Sequence, residues 1–261
     1  MRAQSASPPI VKPTPDALDR AAAILRAGGL VGLPTETVYG LAADAGNPAA
    51  LAALFAAKGR PRFNPLIVHV PGLAEAERLA VLSPLARRLA QAFWPGPLTL
   101  VAPRQPDGTI HDLATAGLAT VALRAPAHPA ARALLAAFGG PVAAPSANRS
   151  GHVSPTTAAH VAEEFGAEVA LVLDGGPCAV GLESTVVAVI GEQASLLRLG
   201  GLPRTAIEAV AGPLATSEGQ EAAPASPGML LKHYAPATPV RLNALAAMPG
   251  ETMIGFGSVG G

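Results

Sequence analysis

The sequence predicts an α/β domain built on a mixed sheet, and three observations carry that prediction. From about residue 14 to residue 210, short apolar runs alternate with helical segments that bring their own caps. That is the pattern of helices laid on a mostly buried sheet. Two late apolar runs follow one another without a helix, joined by Gly191-Glu192 at hairpin spacing, so the sheet is mixed rather than purely parallel. Half of the residues are hydrophobic but only 3% are aromatic. The core therefore has to be assembled from Ala, Val, Leu and Ile, with Gly and Pro at the turns. A chain of 261 residues suffices for one large domain, or one domain and an appendage.

Residues 1–13 are polar and proline-rich and read as an arm. Thr14, Pro15 and Asp16 supply an N-cap, an N1 proline and a first-turn acid for a helix that ends at Gly28-Gly29. Residues 30–33 form a short buried strand closed by Pro34, and Asn47 caps a helix over 48–57. A strand at 66–70 follows, then a helix over 84–93 and strands at 98–102 and 120–123. A helix over 129–138 leads to a strand at 141–144, which opens into the polar loop 145–155. The helix 156–165 and the strand 170–173 precede the hairpin of 185–190 with 195–199. The last helix covers 203–210, where Thr205 and Glu208 stand at capping-box spacing. The domain so defined runs from 14 to 211; residues 212–240 read as a linker, and 252–261 as one isolated strand.

Lys plus Arg and Asp plus Glu both number 18. A zero net charge argues against strong non-specific binding to nucleic acid or membrane, although a local basic groove stays possible. The single cysteine, Cys178, excludes an internal disulfide framework. There is no apolar run of about 18 residues and no signal-peptide core, so a cytoplasmic location is the default expectation.

Polar residues gather where predicted strands end, the edge at which open α/β sheets bind ligands. The first cluster is Pro34-Thr35-Glu36-Thr37-Val38-Tyr39-Gly40, which serves equally as an ordinary turn. The second, Lys58-Gly59-Arg60-Pro61-Arg62-Phe63-Asn64-Pro65, places three cations in five residues and leads to His69. Anion binding explains it well, a solvated basic loop less well. A strand ending in Arg124 is the third. Ala144 to Gly151, with Ser154 beyond, is the fourth, a set of small donors of the kind that cradles phosphate. Gly181-Leu182-Glu183-Ser184-Thr185, with Arg198 after it, is the fifth.

There is no GxxxxGK[ST] loop, HExxH, CxxC pair or GxSxG elbow, and the six histidines are scattered, which disfavours a protein-built metal site. Residues 255–260 fit GxGxxG, but no helix can follow within this sequence, so the fingerprint lacks its context.

Leu33 to Leu41, Lys58-Gly59-Arg60-Pro61 with Asn64-Pro65-Leu66, and Phe93-Trp94-Pro95-Gly96-Pro97-Leu98-Thr99 resemble the YrdC/TsaC family of threonylcarbamoyl-AMP synthases. So do Arg124-Ala125-Pro126, Pro145-Ser146-Ala147-Asn148 with Ser150-Gly151, and Leu182-Glu183-Ser184-Thr185, in consistent order over about 30–201. Ser226 to Met229 and Lys232 to Pro236 resemble the linker of the longer, two-domain members.

The resemblance implies a YrdC-like twisted mixed sheet with an open concave active-site groove. It implies a linker returning over that groove, and a Rossmann-like C-terminal domain of which 241–261 would be only the start. The implied substrates are L-threonine, bicarbonate and ATP, with Mg²⁺ bound mainly through the ATP phosphates. The product would pass to transfer proteins, with tRNA a further implied partner, for the N6-threonylcarbamoyladenosine (t6A) modification.

Carried over residue by residue, Thr37, His69, Arg124, Ala144 and Ser184 would hold threonine. Arg60, Asn64, Thr120, Ser146, Asn148, Ser154 and Arg198 would hold ATP, with Tyr234 closing the site from the linker. Lys58 and Arg60 are the expected catalytic residues, with Arg62 supporting the phosphates. Positioning and charge neutralisation, rather than a covalent nucleophile, would supply the rate. Two alternatives remain at this point: an RNA-binding module of the same fold without catalysis, and a carbamoyl-transfer domain of the kind found in hydrogenase-maturation proteins.

Overall fold

The computed structural model describes residues 7–106, 108–216 and 238–255. Among these, eleven strands form one mixed sheet in the order β1-β8-β2-β3-β7-β4-β6-β5-β9-β10-β11. The strands are β1 (Ile10–Val11), β2 (Val31–Leu33), β3 (Gly40–Asp44), β4 (Ile67–His69), β5 (Leu98–Pro103), β6 (Thr120–Arg124), β7 (Val142–Ala143), β8 (Leu171–Leu173), β9 (Thr185–Ile190), β10 (Gln193–Arg198) and β11 (Ala215–Thr216). The helices are α1 (Pro15–Arg26), α2 (Pro48–Lys58), α3 (Leu73–Glu77), α4 (Pro84–Phe93), α5 (Asp112–Thr115), α6 (Pro129–Phe138), α7 (Ala158–Phe165) and α8 (Arg204–Ala211).

The two expected N-caps, Thr14 and Asn47, are made by the residues that predicted them. Thr14 Oγ1 accepts from Ala17 N at 3.3 Å, and Asn47 Oδ1 accepts from Ala49 N at 2.9 Å and Ala50 N at 3.2 Å. Gly59, which ends α2, sits at φ +57, a left-handed conformation that favours glycine. The Gly191-Glu192 hairpin pairs Ile190 with Gln193 as expected.

Several elements differ from the sequence reading. The segment 40–44 is a full strand, antiparallel to both β2 and β7, although Gly-Leu-Ala-Ala-Asp has no β-branched residue to announce it. Part of the expected arm is β1, parallel to β8, and the start of the expected linker is β11, parallel to β10. The capping box at Thr205 does not form; Glu208 Oε1 instead accepts from Arg204 Nε at 2.8 Å and Leu214 N at 3.1 Å. Residues 252–255 are not a strand, and 256–261 lie outside the described residues.

Strand alternation divides the core by face. Val68, Leu123, Leu100 and Val187 point to the side packed by α2, α4, α5, α7 and α8. On the opposite side, α1 and α6 cover β8, β2, β3 and β7 through Leu25, Leu134, Leu135, Val31, Leu33 and Leu171. Farther along that same side, Ile67, Ala122, Val101 and Val186 form a separate small cluster with Ala188 and Leu197, and no helix contributes to it among the described residues.

Candidate active site

The pocket lies on the part of that sheet face that no helix covers among the described residues. It measures about 460 Å³, counting the part open to solvent, within the usual size of small-molecule sites. Its floor comes from the residues that share a face with Ile67 and Ala122. His69 ends β4 directly opposite Arg124, which ends the parallel strand β6. The 34–39 loop between β2 and β3 supplies Thr37, and Ser184 stands one residue before β9. These four residues line the cavity and are almost fully buried. The mouth is formed by Arg60, Ser146, Glu183 and Arg198, which are half-buried. The site is thus on a sheet face where strand starts and strand ends meet, and not along a C-terminal edge as expected.

The floor is a hydrogen-bonded unit. Arg124 Nη2 donates to Glu36 Oε1 at 2.6 Å, Nη1 donates to Thr37 Oγ1 at 2.9 Å, and Nε donates to Gly96 O at 3.2 Å. Glu36 Oε2 also accepts from Ala127 N at 3.0 Å. A buried guanidinium left without such a carboxylate would be strongly unfavourable. Burial is the main force lowering the Arg124 pKa, and Glu36 opposes it. Burial, reinforced by Arg124, pushes His69 down to about 3, so its imidazole is neutral at ordinary pH.

The mouth is held by a second ion pair, Arg198 Nη1 with Glu183 Oε2. Ser154 Oγ donates to Glu183 Oε1 at 2.8 Å. Arg60 is fixed by the backbone, with Nε 3.2 Å from Asn64 O and Nη2 2.8 Å from Pro65 O. Burial and the neighbouring Arg198 lower its pKa to about 10, still a cation at neutral pH.

The basic trio is separated by the structure. Arg60 reaches the cavity, whereas Arg62 is exposed in the turn. Lys58 is buried, and its Nζ donates to the carbonyl oxygens of Ser146 and Asn148. The expectation that Lys58, Arg60 and Arg62 meet one anion together is therefore corrected: Lys58 ties the 145–155 loop to α2. Burial, then Arg60, lowers its pKa to about 7.

Asn64 and Asn148 are buried, and among the described residues Oδ1 of each has no hydrogen-bond partner, as does His69 Nδ1. Ala144 and Ser146 line the cavity. Thr120 opens β6, at the opposite end of that strand from Arg124, and is not part of the cavity wall. Tyr234 lies outside the described residues. Sequence reasoning gave no role to Glu36, Glu183, Thr35 or Thr99. The two carboxylates could have been found by asking which acid neutralises each arginine of the motif segments. Among the described residues, no helix is long and apolar enough to cross a membrane, and no group of three His, Cys, Asp or Glu could hold a metal ion.

Comparison with known proteins converges on one family. A family model covering Sua5, YciO and YrdC proteins, described as "Telomere recombination", matches residues 23–200. A second, "Threonylcarbamoyl-AMP synthase, C-terminal domain", matches residues 202–253, the stretch read from sequence as last helix, linker and start of a further domain. The chain is 48% identical over 227 residues to a threonylcarbamoyl-AMP synthase of Bacillus subtilis, covering 85% of this chain and 65% of that protein. It is 46% identical over 226 residues to one of Pyrococcus abyssi, covering 84% of this chain and 66% of the relative. The crystal structure of P. abyssi Sua5 complexed with L-threonine superposes with a TM-score of 0.82 at 43% identity, covering 87% of this chain and 68% of that one. The chain thus spans about two thirds of the length of the curated relatives it matches.

Proposed function

The chain belongs to the Sua5/YciO/YrdC family, and from that premise we propose that it is an L-threonylcarbamoyladenylate synthase, joining L-threonine, bicarbonate and ATP into threonylcarbamoyl-AMP and pyrophosphate. One observation carries the reading: a single cavity has a buried floor of Thr37, His69, Arg124 and Ser184 beneath a cationic mouth of Arg60 and Arg198. A deep subsite with one guanidinium suits an amino acid, and a half-exposed cationic rim suits a polyphosphate entering above it. The Sua5 structure with bound L-threonine supports the first assignment.

In this reading the threonine carboxylate meets Arg124, with Thr37, His69, Ala144 and Ser184 around the rest of the amino acid. Dehydration of bicarbonate, which takes up a proton, supplies CO₂ and water; the neutral amine attacks the carbon, one C=O π bond opens onto oxygen, and an N–H proton passes to solvent, leaving a carbamate. A carbamate oxygen then displaces pyrophosphate at the α-phosphorus, with the departing charge met by Arg60 and Arg198 and by Mg²⁺ carried on the phosphates. Ser146, Asn64, Asn148, Ser154, Thr120 and Tyr234 are assigned to ATP. Lys58 serves by positioning the Ser146–Asn148 backbone. The domain limits of 14–211 for catalysis and 212–240 for a linker belong to the same proposal, as do a two-domain type, a cytoplasmic setting, and transfer of the product to tRNA by other proteins. An RNA-binding module fits less well. Arg60, Arg124 and Arg198 face the cavity, and Arg149 is engaged by Ala57 O, Glu168 and the Phe165 ring.

Pyrophosphate release from ATP tests the proposal. It is expected to require both threonine and bicarbonate, and to be abolished by Arg60→Ala with the thermal transition retained. Release that ignores threonine, or near-normal turnover by that variant, would refute it.

A further inference from the structure

A hydroxyl has one proton to give and two lone pairs with which to accept, so a closed hydrogen-bond network fixes directions. Thr35 Oγ1 lies 2.6 Å from the carbonyl oxygen of Val38, which can only accept, so the Thr35 proton is committed there. The 2.9 Å contact between Thr35 Oγ1 and Thr37 Oγ1 must then be donated by Thr37. Thr37 Oγ1 also accepts from Arg124 Nη1 at 2.9 Å. Its proton is spent and one lone pair is filled, so the capacity it retains toward a ligand is that of an acceptor.

Ser184 has the opposite sense. Its Oγ accepts from Arg198 Nη2 at 3.2 Å and stands 2.8 Å from Thr99 Oγ1. Thr99 is fully buried, and among the described residues its hydroxyl has no partner but Ser184. A buried proton without an acceptor costs more than an unused lone pair, so Thr99 donates. Ser184 accepts twice and keeps its own proton to give.

We propose that Thr35 and Thr99 are positioning residues that set the polarity of the two cavity hydroxyls. Thr37 receives an N–H of the substrate amino group, and Ser184 donates to an anionic substrate oxygen. The proposal rests on the threonine reading above and deepens it. A nucleophilic amine needs its lone pair free. A hydroxyl that donated to the nitrogen would occupy that pair, whereas one held as an acceptor grips the N–H and leaves the pair exposed. The arrangement also orients the amino acid: nitrogen toward the 34–39 loop, anionic oxygen toward the start of β9.

The test uses the full chain with Thr35→Val, which keeps the shape and frees the Thr37 proton, and Thr35→Ser, which restores the relay. Thr35→Val is expected to raise the threonine KM about tenfold or more and to lower kcat, with the ATP KM within about twofold and Thr35→Ser near wild type. The competitor 3-hydroxybutanoate, which lacks the amine, should inhibit Thr35→Val and wild type equally. An unchanged threonine KM, or an equal loss for threonine and the amine-free competitor, overturns the proposal.

If Thr35→Val has no cooperative melting transition, Thr99→Val carries the same test. It should weaken threonine but not 1-amino-2-propanol, which lacks the carboxylate, and equal or absent losses overturn the proposal. A wild-type protein without threonine-dependent release would refute the synthase reading instead. Calorimetric binding of threonine and the two analogues would then decide the polarity directly.

Discussion

One face of the sheet is treated in two ways. Over β8, β2, β3 and β7 it is closed by α1 and α6, and the residues there are Val, Leu and Ala. Over β4, β6, β5 and β9 the same face carries His69, Arg124, Thr99 and the approach to Ser184 among small apolar residues. Ala144 marks the seam, since it packs with the first half and lines the cavity of the second. Both halves mix parallel and antiparallel strand pairs, and they differ in side chains and cover. Where a helix lands, burial supplies stability. Where none lands among the described residues, burial is used to hold polar groups in fixed directions, which costs stability and has to be offset by pairing.

The largest effect should come from breaking the pairing in the open half. Arg124→Ala is expected to reduce threonine-dependent pyrophosphate release by a factor on the order of 10³, and to lower stability by about 3 kcal/mol because the largely buried Glu36 loses its cation and keeps only the Ala127 N–H. The double variant Glu36→Gln with Arg124→Met should recover most of the stability, read by urea unfolding, and none of the activity. If the double variant stays as unstable as Arg124→Ala, the stability loss has another source and the contrast between the halves fails.

The covered half was the legible one. Thr14 announces helix α1 over that half, as Asn47 announces α2 on the other face, and the structure starts both helices where the caps stand. Local hydrogen bonding settles such features, so local sequence reports them. The open half was legible only as motifs. Arg60, Thr37, His69, Arg124, Ser146, Ser184 and Arg198 converge on one cavity, yet Lys58 turns inward to the backbone. Three cations within five residues look alike in sequence, and the register of the chain leaving α2 decides which one faces the ligand. Strand β3 escaped for a related reason: Gly40 stands where the chain passes close to Ala144 and Pro145, and Gly40, Ala42 and Ala43 carry little strand signal.

A reciprocal pair of substitutions sharpens the same contrast at intermediate size. Leu134, fully buried under the covered half, should cost about 2–5 kcal/mol as Leu134→Ala while leaving the kinetic constants of the folded fraction unchanged. Ser146, half-buried at the mouth, offers its backbone carbonyl to Lys58. Ser146→Ala keeps that carbonyl, so it should shift stability by no more than about 0.5 kcal/mol while reducing turnover about tenfold or more. Matched melting curves and pyrophosphate assays on both proteins check it. A turnover loss in folded Leu134→Ala, or a large stability loss in Ser146→Ala, would mean that the two halves are coupled.

The smallest effect concerns pH. His69 is held near a pKa of about 3 by burial and by Arg124, against roughly 6.5 in an unfolded chain. The folded state therefore refuses a proton that the unfolded chain accepts between those values. Stability attached to this residue should be present above about pH 6.5 and fall as the pH drops toward 3, by about 2 kcal/mol at pH 5. The comparison is urea unfolding of wild type against His69→Gln at pH 7 and pH 5, with the gap between them shifting by that amount in favour of the variant. Parallel curves would show that His69 is hydrated enough to titrate normally, and the floor would then be an open basin. A shifting gap would mean that Arg124 stands beside a neutral imidazole, so that one cation, and not two, waits for the carboxylate at the bottom of the site.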